Sequence, residues 1–139
     1  MERLILDTTV LIAAERANAS MDEVIGGDDD VAMAAVTAAE LLVGVELADR
    51  RRRAARREYV DTLIGMIPVE PYDLEIARTH AALLAHSQRE GRIRGPHDLL
   101  IAATARARGR TVVTADAGGF ADLPQVDVRV LPGAPSSPG

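Results

Sequence analysis

The chain has 139 residues, a formal net charge of −5 and no cysteine, which makes one domain with a single core and excludes disulfides, thiol catalysis and cysteine-based zinc sites. All 16 basic residues are arginine, so mechanisms that need a catalytic lysine are excluded and bidentate contacts to phosphate or carboxylate remain. Aromatic residues are limited to Tyr59, Tyr72 and Phe120, which argues against holding single strands by base stacking, and no run approaches the ~18 apolar residues of a membrane helix.

In chain order, Leu4 to Leu6 is a short apolar run that reads as a buried strand with Asp7 at its C-terminal tip. Thr8 or Thr9 is placed to cap the helix that follows, which runs to about Arg16. In an open parallel α/β sheet, ligands bind at the carboxyl ends of the strands. Asp7 therefore stands where a site belongs, although Asp and Thr also favour turns and caps for local reasons. Gly26-Gly27-Asp28-Asp29-Asp30 lacks the alternating spacing of a calcium loop and reads as a solvated turn. Val31 to Val36 is a second strand. Thr37-Ala38-Ala39-Glu40 has the pattern of a capping box, which puts Glu40 in the first turn of a helix just beyond a strand tip.

Arg50 to Arg53, with Arg56 and Arg57, open a helical segment that reaches about Met66. At 3.6 residues per turn these arginines wrap round the helix, as on a solvated face; the functional alternative is an arm that contacts phosphates. Ile67 to Tyr72 carries two prolines and suits an edge strand or connector. Tyr72 or Asp73 starts a long amphipathic helix that ends near Gly91, and its His80 and His86 are six apart, not the four of a helical metal pair. Arg92-Ile93-Arg94-Gly95 leads into a further helix with Pro96 at its first position, Asp98 in its first turn and Gly109 at its end. Thr111 to Thr114 is a strand with Asp116 at its tip, and Val126 to Leu131 alternates as an edge strand does. The domain is expected to span 1–131, with 132–139 a disordered tail rich in Pro, Gly and Ser. No leader with a basic start and cleavage site is read, so a soluble, cytoplasmic protein with no membrane partner is expected.

Strands alternating with helices imply a parallel sheet covered on both faces, with every strand tip on one edge. Asp7, Glu40, Asp98 and Asp116 all lie at that end of their elements. Such a cluster is self-repelling, and a divalent cation resolves it. Oxygen ligands without His or Cys suit Mg2+, with Mn2+ the alternative, and the chemistry indicated is phosphodiester hydrolysis. Thr9 and Thr114 stand beside the acids and are candidates to orient a carboxylate or a water. Arg50, Arg51 and Arg53 are candidate nucleic-acid contacts, with Arg92 and Arg94 as rivals. Phospho-receiver domains and haloacid-dehalogenase-type phosphatases need a lysine that this chain lacks; the latter also need an acid where Thr9 stands.

Leu-Asp-Thr-Thr-Val-Leu-Ile, then Thr-Ala-Ala-Glu-Leu-Leu-Val-Gly, then His-Asp-Leu-Leu-Ile-Ala-Ala-Thr-Ala, then Val-Val-Thr-Ala-Asp resembles, in order and spacing, the PIN-domain ribonucleases. The likeness is to the VapC toxins of bacterial and archaeal VapBC toxin–antitoxin pairs in particular, and it spans about Arg3 to Leu131. The resemblance implies a PIN-like, three-layer α/β/α fold and metal-dependent endoribonuclease activity on RNA. Its acidic set would be Asp7, Glu40, Asp98 and Asp116, with Asp7 and Asp98 as metal ligands. It also implies a homodimer and a cognate VapB-type antitoxin that blocks the site. A PIN-like module that binds RNA or protein without cutting is the alternative. One position departs from the family pattern: an Asp or His often stands three residues after the fourth acid, and here it is Gly119, before Phe120.

Overall fold

The computed structural model describes residues 1–19 and 27–131. Gly26 of the expected acidic turn and the C-terminal tail, 132–139, lie outside them. Five parallel strands, β1 (Arg3–Leu6), β2 (Asp30–Ala34), β3 (Val69–Glu70), β4 (Thr111–Thr114) and β5 (Val128–Val130), form one sheet in the order β3-β2-β1-β4-β5. The helices are α1 (Thr8–Arg16), α2 (Ala35–Leu47), α3 (Arg53–Met66), α4 (Leu74–Arg89) and α5 (Pro96–Arg108), with a 3-10 turn at Ala117–Gly119.

The two-residue period of the strands divides the core between the two faces of the sheet. Leu4, Leu6, Val31, Met33 and Val113 pack with Leu11, Leu41, Val45, Val60 and Leu63 of α1, α2 and α3. Ile5 and Val112 pack on the opposite side with Ile76 and Leu83 of α4, Leu99 and Ile101 of α5, and Phe120. Helices thus cover both faces, and the expected three-layer α/β/α arrangement is the one present. Ile5, Ala32 and Val112 in the central strands are 0% exposed, which is why these strands read as unbroken apolar runs rather than alternating ones.

The proline-flanked β3 and the short β5 are the two edges. Arg110, just before β4, ties four neighbouring strands together. Its guanidinium donates to Leu4 O at 3.2 Å, to Asp30 O at 2.9 Å, to Asp30 Oδ1 at 3.0 Å and to Glu70 Oε1 at 3.0 Å. Asp73 caps α4 by accepting from Ile76 N at 3.0 Å, and Gly109 closes α5 with φ +65°. Among the described residues no helix is long and apolar enough to cross a membrane.

Three local expectations are corrected. β2 runs straight into α2, with Ala34 as the N-cap residue and no side-chain cap. Thr37 is therefore the third residue of the helix, fully buried, and Glu40 lies in the second turn; there is no capping box. α1 starts at Thr8, with Asp7 as its N-cap residue and no side-chain cap, so neither Thr8 nor Thr9 caps it. α3 starts at Arg53, and Arg50 and Arg51 belong to the turn before it, which Asp49 closes by accepting from Arg52 N at 3.0 Å.

Candidate active site

The chain leaves β1 for β2 and β3 on one side, then returns to β4 and β5 on the other. The switch point is thus between the C-terminal ends of β1 and β4, where an open α/β sheet forms its crevice. Asp7 leaves the tip of β1 in extended conformation, and its N–H donates to Val113 O at 2.9 Å. Its side chain is buried, at 4% residue exposure, and a buried carboxylate is costly unless it is hydrogen-bonded. Two hydroxyls meet that need. Thr9 Oγ1 donates to Asp7 Oδ2 at 2.8 Å and Thr114 Oγ1 donates to the same atom at 2.7 Å. Each threonine also accepts a backbone N–H from the tip of β4, Thr9 from Ala115 and Thr114 from Asp116. Oδ1 of Asp7 has no protein donor among the described residues.

Glu40 reaches the same edge from α2. Its Oε1 accepts from Thr8 Oγ1 at 2.9 Å, and its Oε2 lies 3.3 Å from His97 Nδ1. Asp116 is exposed and heads the 3-10 turn, where Oδ1 accepts from Gly118 N at 3.0 Å. Asp98 enters from the first turn of α5, half-buried. Burial pushes its pKa above the ordinary carboxylate value, and the negative charges of Asp7, Glu40 and Asp116 push it further; His97 opposes them. Three acids from three other elements thus act on Asp98 at one edge of the sheet.

The donor set fits a hard divalent cation: carboxylate and hydroxyl oxygens, with one unencumbered oxygen on Asp7. Among the described residues no three acidic, histidine or cysteine side chains stand in a ready-made coordination shell.

Two participants were not singled out from the sequence. Thr8 looked like a cap, and only its burial beneath Glu40 shows its use. His97 had a signal in its place beside Asp98 at a helix start. The arginines divide. Arg50 and Arg51 are exposed. Arg53 donates to Glu46 O and Ala48 O at 3.2 and 3.3 Å, and Arg92 pairs with Asp122 at 3.1 Å. Arg94 is half-buried and donates to Gly119 O at 3.2 Å and to Ala121 O. A groove of about 580 Å³ opens elsewhere, between α1 and α3 beside Arg51, Arg52 and Tyr59.

Fold and site together define a parallel α/β domain with a carboxylate cluster at its switch point. The PIN domain family matches residues 4–126. "Ribonuclease VapC5" of Mycobacterium tuberculosis is 38% identical over 112 residues, 81% of this chain and 82% of that protein. The crystal structure of the VapBC-5 toxin–antitoxin member from the same organism superposes with a TM-score of 0.73 at 34% identity, over 94% of this chain and 98% of that one. VapBC2 from Rickettsia felis, solved bound to a promoter DNA fragment, gives a TM-score of 0.83 at 20% identity, over 93% and 98% of the two chains, a likeness of fold. The chain belongs to the PIN-domain family, in its VapC branch.

Proposed function

We propose that this chain is the toxin of a toxin–antitoxin pair: a cytoplasmic endoribonuclease that hydrolyses RNA phosphodiester bonds with Mg2+, or Mn2+ in its place, and is neutralised by a cognate antitoxin. The ribonuclease and toxin–antitoxin names of its relatives support the activity and the partner. The observation that carries the mechanism is the convergence of the acids at one sheet edge, where Asp7 accepts from Thr9 and Thr114, Glu40 accepts from Thr8 and lies beside His97, and Asp98 stands within the field of Asp7, Glu40 and Asp116. Asp7 and Asp98 are the residues to hold the cation, which supplies Lewis-acid stabilisation of charge on the phosphate. The chain's own groups do the rest. Thr9 and Thr114 fix the direction of the Asp7 carboxylate. Thr8 and His97 hold Glu40 from two sides, and Glu40 is the group to take a proton from an attacking water.

The test is incubation of cellular RNA with the purified, antitoxin-free protein, mapping the ends produced. Cleavage is expected with Mg2+ or Mn2+ and lost in EDTA. Undiminished cleavage in EDTA overturns the metal dependence. Absence of cleavage by the metal-loaded protein returns the chain to the binding-module alternative.

A further inference from the structure

Arg94 is an expensive residue where it sits. Burial pushes its guanidinium pKa below the ordinary arginine value. Its Nε is one of only two buried side-chain polar atoms without a hydrogen-bond partner among the described residues. A partly desolvated cation with an unmet buried donor at Nε opposes folding, so the contacts it does make call for a reason. Nη1 and Nη2 both leave the loop before α5 and bond the carbonyls of Gly119 and Ala121, in the segment just after Asp116.

That segment lies directly against Asp98. A Cβ added at Gly119 would stand 2.8 Å from Asp98 Cγ, closer than real Cβ contacts allow, and one added at Gly95 would stand 3.3 Å from Asp98 Oδ2. The Asp98 carboxylate therefore occupies a slot whose two walls are glycines. One wall, Gly95, is the neighbour of Arg94 in the chain. The other, Gly119, is the residue whose carbonyl Arg94 bonds. The guanidinium fork spans the two walls of the slot.

We propose that Arg94 is a positioning residue: it clamps the Gly119–Ala121 segment to the loop before α5 and so closes the slot that sets Asp98 against Asp116. Its consequence for cation binding and catalysis rests on the nuclease reading; the clamp itself does not. In this role Arg94 touches no RNA, in contrast to the phosphate contact its charge and place in the sequence suggest.

The test compares the wild-type chain with Arg94→Met, which keeps an apolar stem without donors, and Arg94→Lys, which keeps the charge without the planar fork. In metal-free protein, amide exchange of Gly118 to Ala121 should quicken by about 10-fold or more in Arg94→Met, as expected when a local opening becomes easier. Mn2+ affinity, read by titration, should fall roughly 10–100-fold, the usual effect of removing a group that orients ligands. Turnover should fall while KM for RNA and its salt dependence stay as in wild type, and Arg94→Lys should fall between the two. A raised KM with a salt slope flatter by about 1 and unchanged Mn2+ affinity would make Arg94 a phosphate contact and overturn the clamp. A lowered melting temperature with wild-type exchange and Mn2+ affinity would overturn it too. If Arg94→Met does not fold, Arg94→Lys carries the same measurements, and wild-type values in all of them overturn the clamp. If wild type neither binds Mn2+ nor cuts RNA, the nuclease reading fails, and the exchange data still decide on the clamp.

Discussion

Thr114 Oγ1 donates to Asp7 Oδ2 at 2.7 Å, tying the tip of β4 to the carboxylate at the tip of β1. Thr114 is 0% exposed and Asp7 4%, so this bond is made where water cannot substitute for it. The same hydroxyl accepts from Asp116 N at 3.0 Å. One side chain thereby sets the direction of Asp7 and the departure of the chain toward Asp116.

Thr114→Val keeps the shape of the side chain and removes the hydroxyl. It leaves a buried carboxylate short of a donor and a backbone N–H without its acceptor. A loss of about 1–3 kcal/mol is expected, the cost of stranding buried polar groups, with a fall in RNA cleavage beyond what unfolding explains. Thr114→Ser, which restores the hydroxyl, should recover most of both. Urea unfolding and cleavage assays at fixed Mg2+ check this; equal stability of Val and Ser variants would remove the bond from the account.

Asp98 makes metal-free stability depend on pH in a definite direction. Its folded pKa lies above the unfolded value because burial and the neighbouring acids disfavour its charge. The folded state then holds its proton to higher pH than the unfolded state, so this group's contribution to stability falls as pH rises from the unfolded toward the folded pKa and is level above. Asp98→Asn should be more stable than wild type in EDTA at neutral pH, and the gap should close as pH drops below the ordinary carboxylate range. Melting temperatures in EDTA across that range test it. With Mg2+ present the order should move toward wild type, since a ligand bound only to the folded state stabilises it.

Placement of the acids was legible in the sequence because it follows from coarse features. An apolar run that ends in Asp7 or Asp116 is a strand tip in any parallel sheet, and Pro96 followed by Asp98 marks a helix start. The cap chemistry was not legible. The Thr37-x-x-Glu40 pattern presumes a loop between strand and helix, and β2 passes into α2 with none, so Thr37 becomes an interior residue. Arg94 was misleading for a related reason: charge in a loop suggests solvent or phosphate, and only the folded chain shows that two backbone carbonyls surround it. At Gly119, which departs from the family pattern, the Asp98 carboxylate lies where a side chain would begin.

Arg110→Met separates scaffold from site. Arg110 is 8% exposed and joins β1, β2 and β3 through Leu4 O, Asp30 and Glu70. Removing it leaves Asp30 with Arg3 alone and Glu70 with Arg108 alone, at a cost of about 1–3 kcal/mol for the lost charge-assisted hydrogen bonds. Cleavage per folded molecule should hold at the wild-type level, because none of these groups reaches the Asp7 edge. A fall in activity at temperatures where the variant is fully folded would show that the two are coupled.

Glu40 has two partners, Thr8 and His97, and their geometry divides its hydrogen bonding from its charge. Glu40→Gln keeps an oxygen for Thr8 Oγ1, which donates to Oε1 at 2.9 Å, while removing one charge from a repelling set. Metal-free stability should be unchanged or slightly raised. Cleavage should nevertheless fall roughly 10²–10⁴-fold, the range for loss of a positioned acid or base. Thr8→Val is the converse. It leaves the charge and removes the donor that aims it, so cleavage should fall by about 10-fold, in the manner of lost orientation. His97→Ala, which removes a side chain that is 56% exposed, should change stability by no more than about 1 kcal/mol. Thermal melts in EDTA and cleavage rates in Mg2+ give both readouts for each variant. If Glu40→Gln cuts RNA at the wild-type rate, Glu40 serves only as an acceptor for Thr8, and the acidic set is reduced to Asp7, Asp98 and Asp116.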